Sequence, residues 1–331
     1  MSKMSAWEQI KLQINLEKTV ELQLAINVFE AASSTGEGYY SEDNHLDELE
    51  QLFVQPDLKW TGASTEFHNL AVAFSKADRN RSACNVLLKG LVLYPASVDL
   101  LADFLKYGTI DGRWDDCDNY YAILKSLGKD SWNWRAYSFS LDYMLEKREK
   151  TIDSTERKAL QNDAIRLAKS FVEKCPTDLA YFDLSNVYRI LNRINKEKAT
   201  LEEAILKVKV PARCSLRLAD IAINNGDYSL ALERLKICKQ ALKPQPDINP
   251  SYVYVLNVLC KSSLIISKMI DNNGVLENCE EEVLAIYKDY NSAMAIGLDG
   301  VMKDTLQKVV AVIENQTGIK NSKGQIDAIG F

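Results

Sequence analysis

The chain has 331 residues, 47% hydrophobic and 26% charged, with a formal net charge of −6, so it carries enough apolar side chains for a folded core and no basic excess for nucleic acid as a primary ligand. Only 14 Gly and 7 Pro punctuate it, which predicts long helices joined by short turns and excludes a many-stranded sheet. The charge is uneven: residues 1–60 hold 4 Lys/Arg against 11 Asp/Glu, and the remainder is close to neutral. The seven cysteines (Cys84, Cys117, Cys175, Cys214, Cys238, Cys260 and Cys279) form no CxxC pair, the pattern of reduced thiols in a cytoplasmic protein. With His45 and His68 the only histidines, no zinc site and no other metal or cofactor is expected. The N-terminus "MSKMSAWEQIKLQINLEK" lacks a continuous apolar core, so no signal peptide is expected.

In chain order, residues 5–32 read as one long amphipathic helix, "SSTGEGYYSEDNH" as a loop, and Leu46, Leu49, Leu52 and Phe53 as a short helix. A helical hairpin follows, with Phe67, Leu70, Ala71 and Phe74 on its first helix and Ala83, Leu87, Gly90 and then Pro95 on its second. A looser one has Leu100, Phe104, Tyr107, Tyr121 and Leu124 around the loop "DGRWDDCDNYY". The next places Trp134, Tyr137, Ser138 and Leu141 before Ala164, Ala168, Phe171 and Pro176. Its extra residues, roughly Glu146 to Asp163, predict that both helices are lengthened by about two turns, with Asp153 and Glu156 starting the second. Another has Tyr181, Leu184, Ser185 and Tyr188, a turn near Asn192, and Ala204. The last places Ser215, Leu218, Ala219 and Ala222 before Ala231, Leu235 and Cys238, with Gly226 as an αL helix stop and Asp227 as a cap. After the break "KPQPDINP" come helices at about Ser251–Ile270, Cys279–Ala295 and Met302–Asn315, then a mobile tail, "GIKNSKGQIDAIGF". The first of these is apolar but broken by Asn257 and Lys261, and reads as a buried helix, not a membrane span.

The intervals from Ala83 to Pro95 and from Ala164 to Pro176, with small residues at the helix crossings, resemble the tetratricopeptide repeat, a unit of about 34 residues. The resemblance covers about residues 64–244, with the units at Phe67 and Ser215 the best matches. It implies an all-α, right-handed solenoid of helical hairpins with non-repeat helices at both ends: an acidic cap over 1–60, the array over 61–244, a C-terminal cap over 245–316 and a tail over 317–331. It also implies that first helices line a concave groove for a partner segment. Carried over position by position, the groove takes His68, Val72, Ser75 and Lys76, then Arg135, Phe139, Asp142 and Tyr143. In the later units it takes Phe182, Asn186 and Arg189, then Leu216, Asp220, Ile223 and Asn224 flanked by Arg213 and Arg217. In family members an Asn at the Asn186 position pairs with a ligand backbone. Arginine forks here suit an acidic or C-terminal segment.

Other chemistry is thin. Asp111, Asp115, Asp116 and Asp118 could hold Mg²⁺ only if they faced an apolar cavity from one helix; they fall at an inter-helix turn, where capping aspartates are ordinary, and are read as caps. "CEEEV" from Cys279 to Val283 is an acidic helix start. His68 has no visible catalytic partner, and no glycine-rich phosphate loop is present. Of Trp132, Trp134, Tyr137 and Phe139, Trp134 and Tyr137 are expected in the core. The expected function is a non-catalytic adaptor or scaffold binding a protein segment, on its own or as a subunit of a larger complex, without membrane insertion. An all-helical enzyme, or a regulatory subunit of one, is the alternative.

Overall fold

The computed structural model of the chain describes residues 4–34, 45–242, 248–272 and 279–321. Most of the expected loop after residue 32, the core of the break at 243–250 and residues 322–331 of the tail lie outside them. Among the described residues are sixteen α-helices and two three-residue strands, and the chain divides into two compact units, 1–171 and 172–331.

The first unit opens with α1 (Ala6–Glu17), started by a capping box in which Ser5 Oγ accepts from Glu8 N at 3.2 Å and Glu8 Oε2 from Ser5 N at 2.7 Å. The single helix expected over 5–32 is broken. Lys18 turns left-handed (φ 53°), and β1 (Thr19–Glu21) pairs in parallel with β2 (Lys59–Thr61) before α2 (Leu22–Ser34) begins. The pairing Val20↔Trp60 buries Val20 completely, so a contact forty residues away overrides local helix preference. The short helix α3 (Leu46–Val54) buries Leu46, Leu49, Leu52 and Phe53 as expected. Phe53 stacks on Trp60 at 3.9 Å, and Phe29 and Phe53 both meet Phe74 edge-on, which seats the N-terminal helices on α4 (Ser64–Lys76).

Three hairpins complete this unit: α4 with α5 (Asn80–Leu93), α6 (Val98–Asp111) with α7 (Trp114–Ser126), and α8 (Trp134–Lys150) with α9 (Ser154–Lys174). The lengthening of the third is unequal. The other hairpin helices run 13 or 14 residues, α8 runs 17 and α9 runs 21, so the first gains about one turn and the second about two. Asp153 caps α9, its Oδ1 accepting from Glu156 N at 2.7 Å. Gly90 lets α5 lie against its neighbours: a Cβ there would meet Phe67 Cγ at 2.9 Å and Leu100 Cδ1 at 3.0 Å.

The second unit contains the hairpins α10 (Asp178–Ile190) with α11 (Ile194–Lys207) and α12 (Ala212–Asn224) with α13 (Tyr228–Ala241), followed by α14 (Pro250–Asp271), α15 (Glu280–Ile296) and α16 (Gly300–Thr317). Ala204, Ala219 and Ala231 are fully buried at the crossings. Among the described residues, α14 has the length and apolarity to cross a bilayer, but it lies packed between α13, α15 and α16 with half of its apolar window buried. Its Asn257 is buried and donates to Val253 O at 2.8 Å. The first residues after α16 are anchored: Tyr287 Oη donates to Ile319 O at 2.7 Å and Asn321 N donates to Glu314 Oε1 at 2.8 Å.

Four of the hairpin turns are the same turn. Asp78, Gly112, Asn192 and Gly226 each take positive φ, at 61°, 77°, 54° and 76°. The residue after each donates its N–H five residues back: Arg79 to Phe74 O, Arg113 to Gly108 O, Arg193 to Tyr188 O and Asp227 to Ala222 O, at 2.8–2.9 Å. Glycine fills two of these positions, and Asn and Asp, which tolerate αL best among the rest, fill the others.

Candidate partner-binding faces

In the first unit, α4, α6 and α8 are successive first helices, and their outer side chains form a polar ladder. His68 Nδ1 pairs with the Asp103 carboxylate. Asp103 is only 1% exposed, and burial pushes its carboxyl above the ordinary range while the His68 hydrogen bond works against that shift. Asp99 Oδ1 accepts from Asn133 Nδ2 at 2.8 Å and from Arg135 Nη1 at 3.1 Å. Lys106 Nζ lies 4.7 Å from the Phe139 ring centroid, and the Arg135 guanidinium 5.1 Å from that of Trp134. Ser75 Oγ donates to Asn80 Oδ1 at 2.9 Å, and Lys76 is exposed.

One expectation for the aromatic cluster fails. Trp134 is 46% exposed, because it is the first residue of α8 and has no preceding turn to pack against. Trp132 takes the core position instead, its Nε1 donating to Leu124 O at 3.0 Å. Tyr137 is buried as expected, stacked on Phe171 at 4.9 Å. Tyr143, expected in the groove, points to α7: it is 3% exposed, and its hydroxyl donates to Asp118. Asp118 also accepts from Lys147 Nζ at 2.7 and 2.8 Å. Asp111 accepts from Arg113 Nε at 2.8 Å, while Asp115 and Asp116 occupy the first turn of α7.

In the second unit the first helices are α10 and α12, followed by α14. Asp178, 4% exposed, accepts from the backbone N–H of Arg213 at 2.8 Å and of Cys214 at 3.1 Å. It thereby caps α12 from α10, the first helix of the preceding hairpin. Arg213 Nη1 lies 3.6 Å from the same carboxylate. Arg217 Nε donates to Glu197 Oε1 at 2.8 Å, and Glu197 is 3% exposed. Tyr252 Oη donates to Asp220 Oδ1 at 3.1 Å; burial raises the Asp220 carboxyl, opposed by this bond. Arg189 is exposed and held by an amide: Asn186 Oδ1 accepts from its Nε at 3.1 Å and its Nη2 at 2.6 Å. Asn224 is exposed at the end of α12.

The expected site residues therefore fall into two sets. His68 and Arg135, with Arg213 and Arg217, brace one helix to the next, whereas Lys76, Arg189 and Asn224 turn outward. The bracing acids Asp99, Asp103, Asp178 and Glu197 are neighbours of the expected site residues that the sequence did not single out. A signal existed for three of them: partners lie 35 residues apart for His68 and Asp103, 34 for Asn133 and Asp99, and 35 for Arg213 and Asp178. That is one repeat length on successive first helices.

The turns repeat on the same pitch, with 34 residues between Asp78 and Gly112 and again between Asn192 and Gly226. Each unit contains tetratricopeptide-like hairpins. Within each unit they stack as in an all-α solenoid. No family model and no curated protein matches the sequence. Solved structures similar to it include a thermophilic TPR protein of Thermus thermophilus, 18% identical over 61% of this chain and 99% of that one with a TM-score of 0.46. A tetratricopeptide repeat protein of Parabacteroides merdae is 12% identical over 88% and 98%, TM-score 0.44. The APC/C hetero-tetramer Cut9–Hcn1 is 14% identical over 87% and 52%, TM-score 0.45. All seven cysteines are free thiols, six of them buried. Among the described residues no group of His, Cys, Asp or Glu is arranged to hold a metal ion.

Proposed function

We propose that this tetratricopeptide-like array is a non-catalytic interaction scaffold, working in the cytoplasm, that holds an acidic or C-terminal segment of a partner protein along its first-helix faces. The observation that carries the reading is Arg189. Its guanidinium is oriented by the neutral amide of Asn186 on an exposed helix face, so its charge is aimed without being neutralised. Asn186 keeps its amide nitrogen to donate to a ligand carbonyl. The free thiols fit a reducing compartment. In the first unit, exposed Trp134 under Arg135 has the composition of an interface anchor.

The test is fluorescence anisotropy with labelled acidic C-terminal peptides on the full chain, at low and high salt. Binding should weaken as salt rises, and Arg189→Glu should weaken it by more than about tenfold while leaving the melting temperature nearly unchanged. Peptide binding that ignores both Arg189→Glu and salt sinks the proposal for this face.

A further inference from the structure

The second helices of the first unit enclose a cleft that the scaffold reading does not use. It lies between α7, the 3-10 turn Lys129–Ser131 and α9, with a volume of about 330 Å³. Trp132 and Leu167, each 4% exposed, form a rigid floor. Lys125 and Lys129 stand on one side and Arg166 on the other, with Asp163 the one carboxylate in the lining. Lys125 Nζ lies 5.4 Å from the Tyr121 ring centroid, so its stem follows the cleft wall. Arg166 pairs with Asp163 one turn back on α9. Tyr121 adds no charge of its own: its hydroxyl donates to Met144 Sδ at 3.4 Å, and burial pushes the phenol up to about 12.

The size and charge narrow the ligand. A cleft of this volume admits one side chain or a small ester, not a helix or strand of a partner. Lys125 and Arg166 face a single carboxylate in the lining, Asp163, and a phosphate monoester carries about −1.5 to −2 at neutral pH. A guanidinium meets phosphate oxygens in pairs, an ammonium meets them as a point charge, and an aromatic wall suits the carbon stem behind the phosphate. We propose that this cleft binds a dianionic phosphate monoester, with Arg166 and Lys125 on its oxygens and the Tyr121 ring against its stem. The ester is either a phosphorylated side chain of another protein or a free small phosphate ester. The site is separate from the first-helix faces, so its failure would leave the scaffold reading untouched.

Isothermal titration of the full chain tests it, with phosphotyrosine and phosphoserine peptides, their unphosphorylated parents, glycerol phosphate and inorganic phosphate. One-to-one binding of the esters is expected, at least about tenfold tighter than any binding of the parent peptides. The double variant Lys125→Ala, Arg166→Ala should lose roughly tenfold or more, and both side chains are exposed, so folding should survive. Asp163→Asn should tighten binding several-fold, because it releases Arg166 and removes the one repelling charge. Lys158→Ala, exposed on α9 outside the cleft, should change nothing. A phosphopeptide that outcompetes glycerol phosphate supports the site with a protein side chain as the source, and the reverse order supports it with a free ester. Absence of saturable ester binding below about 1 mM overturns the proposal, as does a Lys158→Ala loss equal to that of the double variant.

Discussion

Between α4, α6 and α8 the first unit joins its helices side chain to side chain, through His68 with Asp103 and through Asp99 with Asn133 and Arg135. The second unit also has a side-chain pair, Glu197 with Arg217, but adds a grip on the backbone, Asp178 accepting from two N–H groups of α12. The crossings differ too: beside buried alanines such as Ala71 and Ala83 the first unit uses Gly90, where even a methyl group does not fit, and the second uses alanines such as Ala219 and Ala231. One hairpin geometry thus tolerates two sets of cross-braces. Backbone closeness at small residues sets the stacking, and the polar braces on top of it can be exchanged. That leaves first-helix chemistry open to selection for a ligand.

The crossings offer the hardest test of this contrast. Gly90→Leu should lower the stability of the first unit by roughly 3 kcal/mol or more, against roughly 1–3 kcal/mol for Ala219→Leu in the second. Gly90→Ala should also destabilise, although in an open helix the same change would gain about 1 kcal/mol. Urea titrations read all three, and a stabilised Gly90→Ala protein would remove the steric half of the comparison.

Alkaline titration probes what the units share. Burial pushes the thiols of Cys84 and Cys238 up to about 12 and those of Cys117 and Cys260 to about 11, from an ordinary 9.0. The unfolded chain therefore releases these protons first. Their contribution is intact below about pH 9 and is lost as pH climbs toward 11–12, by about 1.4 kcal/mol per pH unit for each thiol. The first unit carries two such thiols and the second a third, Cys214, which burial and the neighbouring Asp178 push up further still, so thermal melts between pH 8 and 10 should fall in both units and more steeply in the second, with Cys84→Ala flattening only the slope of the first.

The braces should separate the units next. Asp178→Ala strands two backbone donors at the start of α12 and should cost roughly 1–3 kcal/mol, visible as faster amide exchange there. Asp103→Asn should cost less than about 1 kcal/mol, since losing the buried charge offsets the weaker contact to His68. Arg217→Glu places a second carboxylate beside buried Glu197 and should behave like Asp178→Ala, unlike exposed Arg189→Ala, which stays within about 0.5 kcal/mol. The effect in the turns is also small but of opposite sign: Asp78→Gly and Asn192→Gly should each raise stability by up to about 1 kcal/mol, read in the same urea titrations, because glycine takes αL without strain.

The hairpins were legible because their signals are local. Ala71 and Ala83, like Ala219 and Ala231, repeat at fixed spacing, and Gly226 marks its own turn. What escaped was set by distant contacts. Nothing near Lys18 announces the break between α1 and α2, since β1 exists only because β2 arrives from residue 59. Trp134 fits the spacing of a core residue, yet the helix begins at it and Trp132 fills the space. The arginines of the candidate faces were readable as types, but whether each faces outward depends on acids a whole repeat away, as Arg217 and Arg189 illustrate.

The unequal α8–α9 hairpin has a consequence for how such a chain changes length. Its crossing keeps Tyr137 against Phe171, while the added turns end at Thr151–Asp153, where Ile152 is 98% exposed. Residues added or removed at that tip alter solvent-facing surface and leave the packed crossing and the 34-residue indexing on either side as they were. The tip is therefore the place where foreign sequence, such as an epitope or a fluorophore-labelling peptide, can be spliced into the middle of the chain rather than hung on its ends.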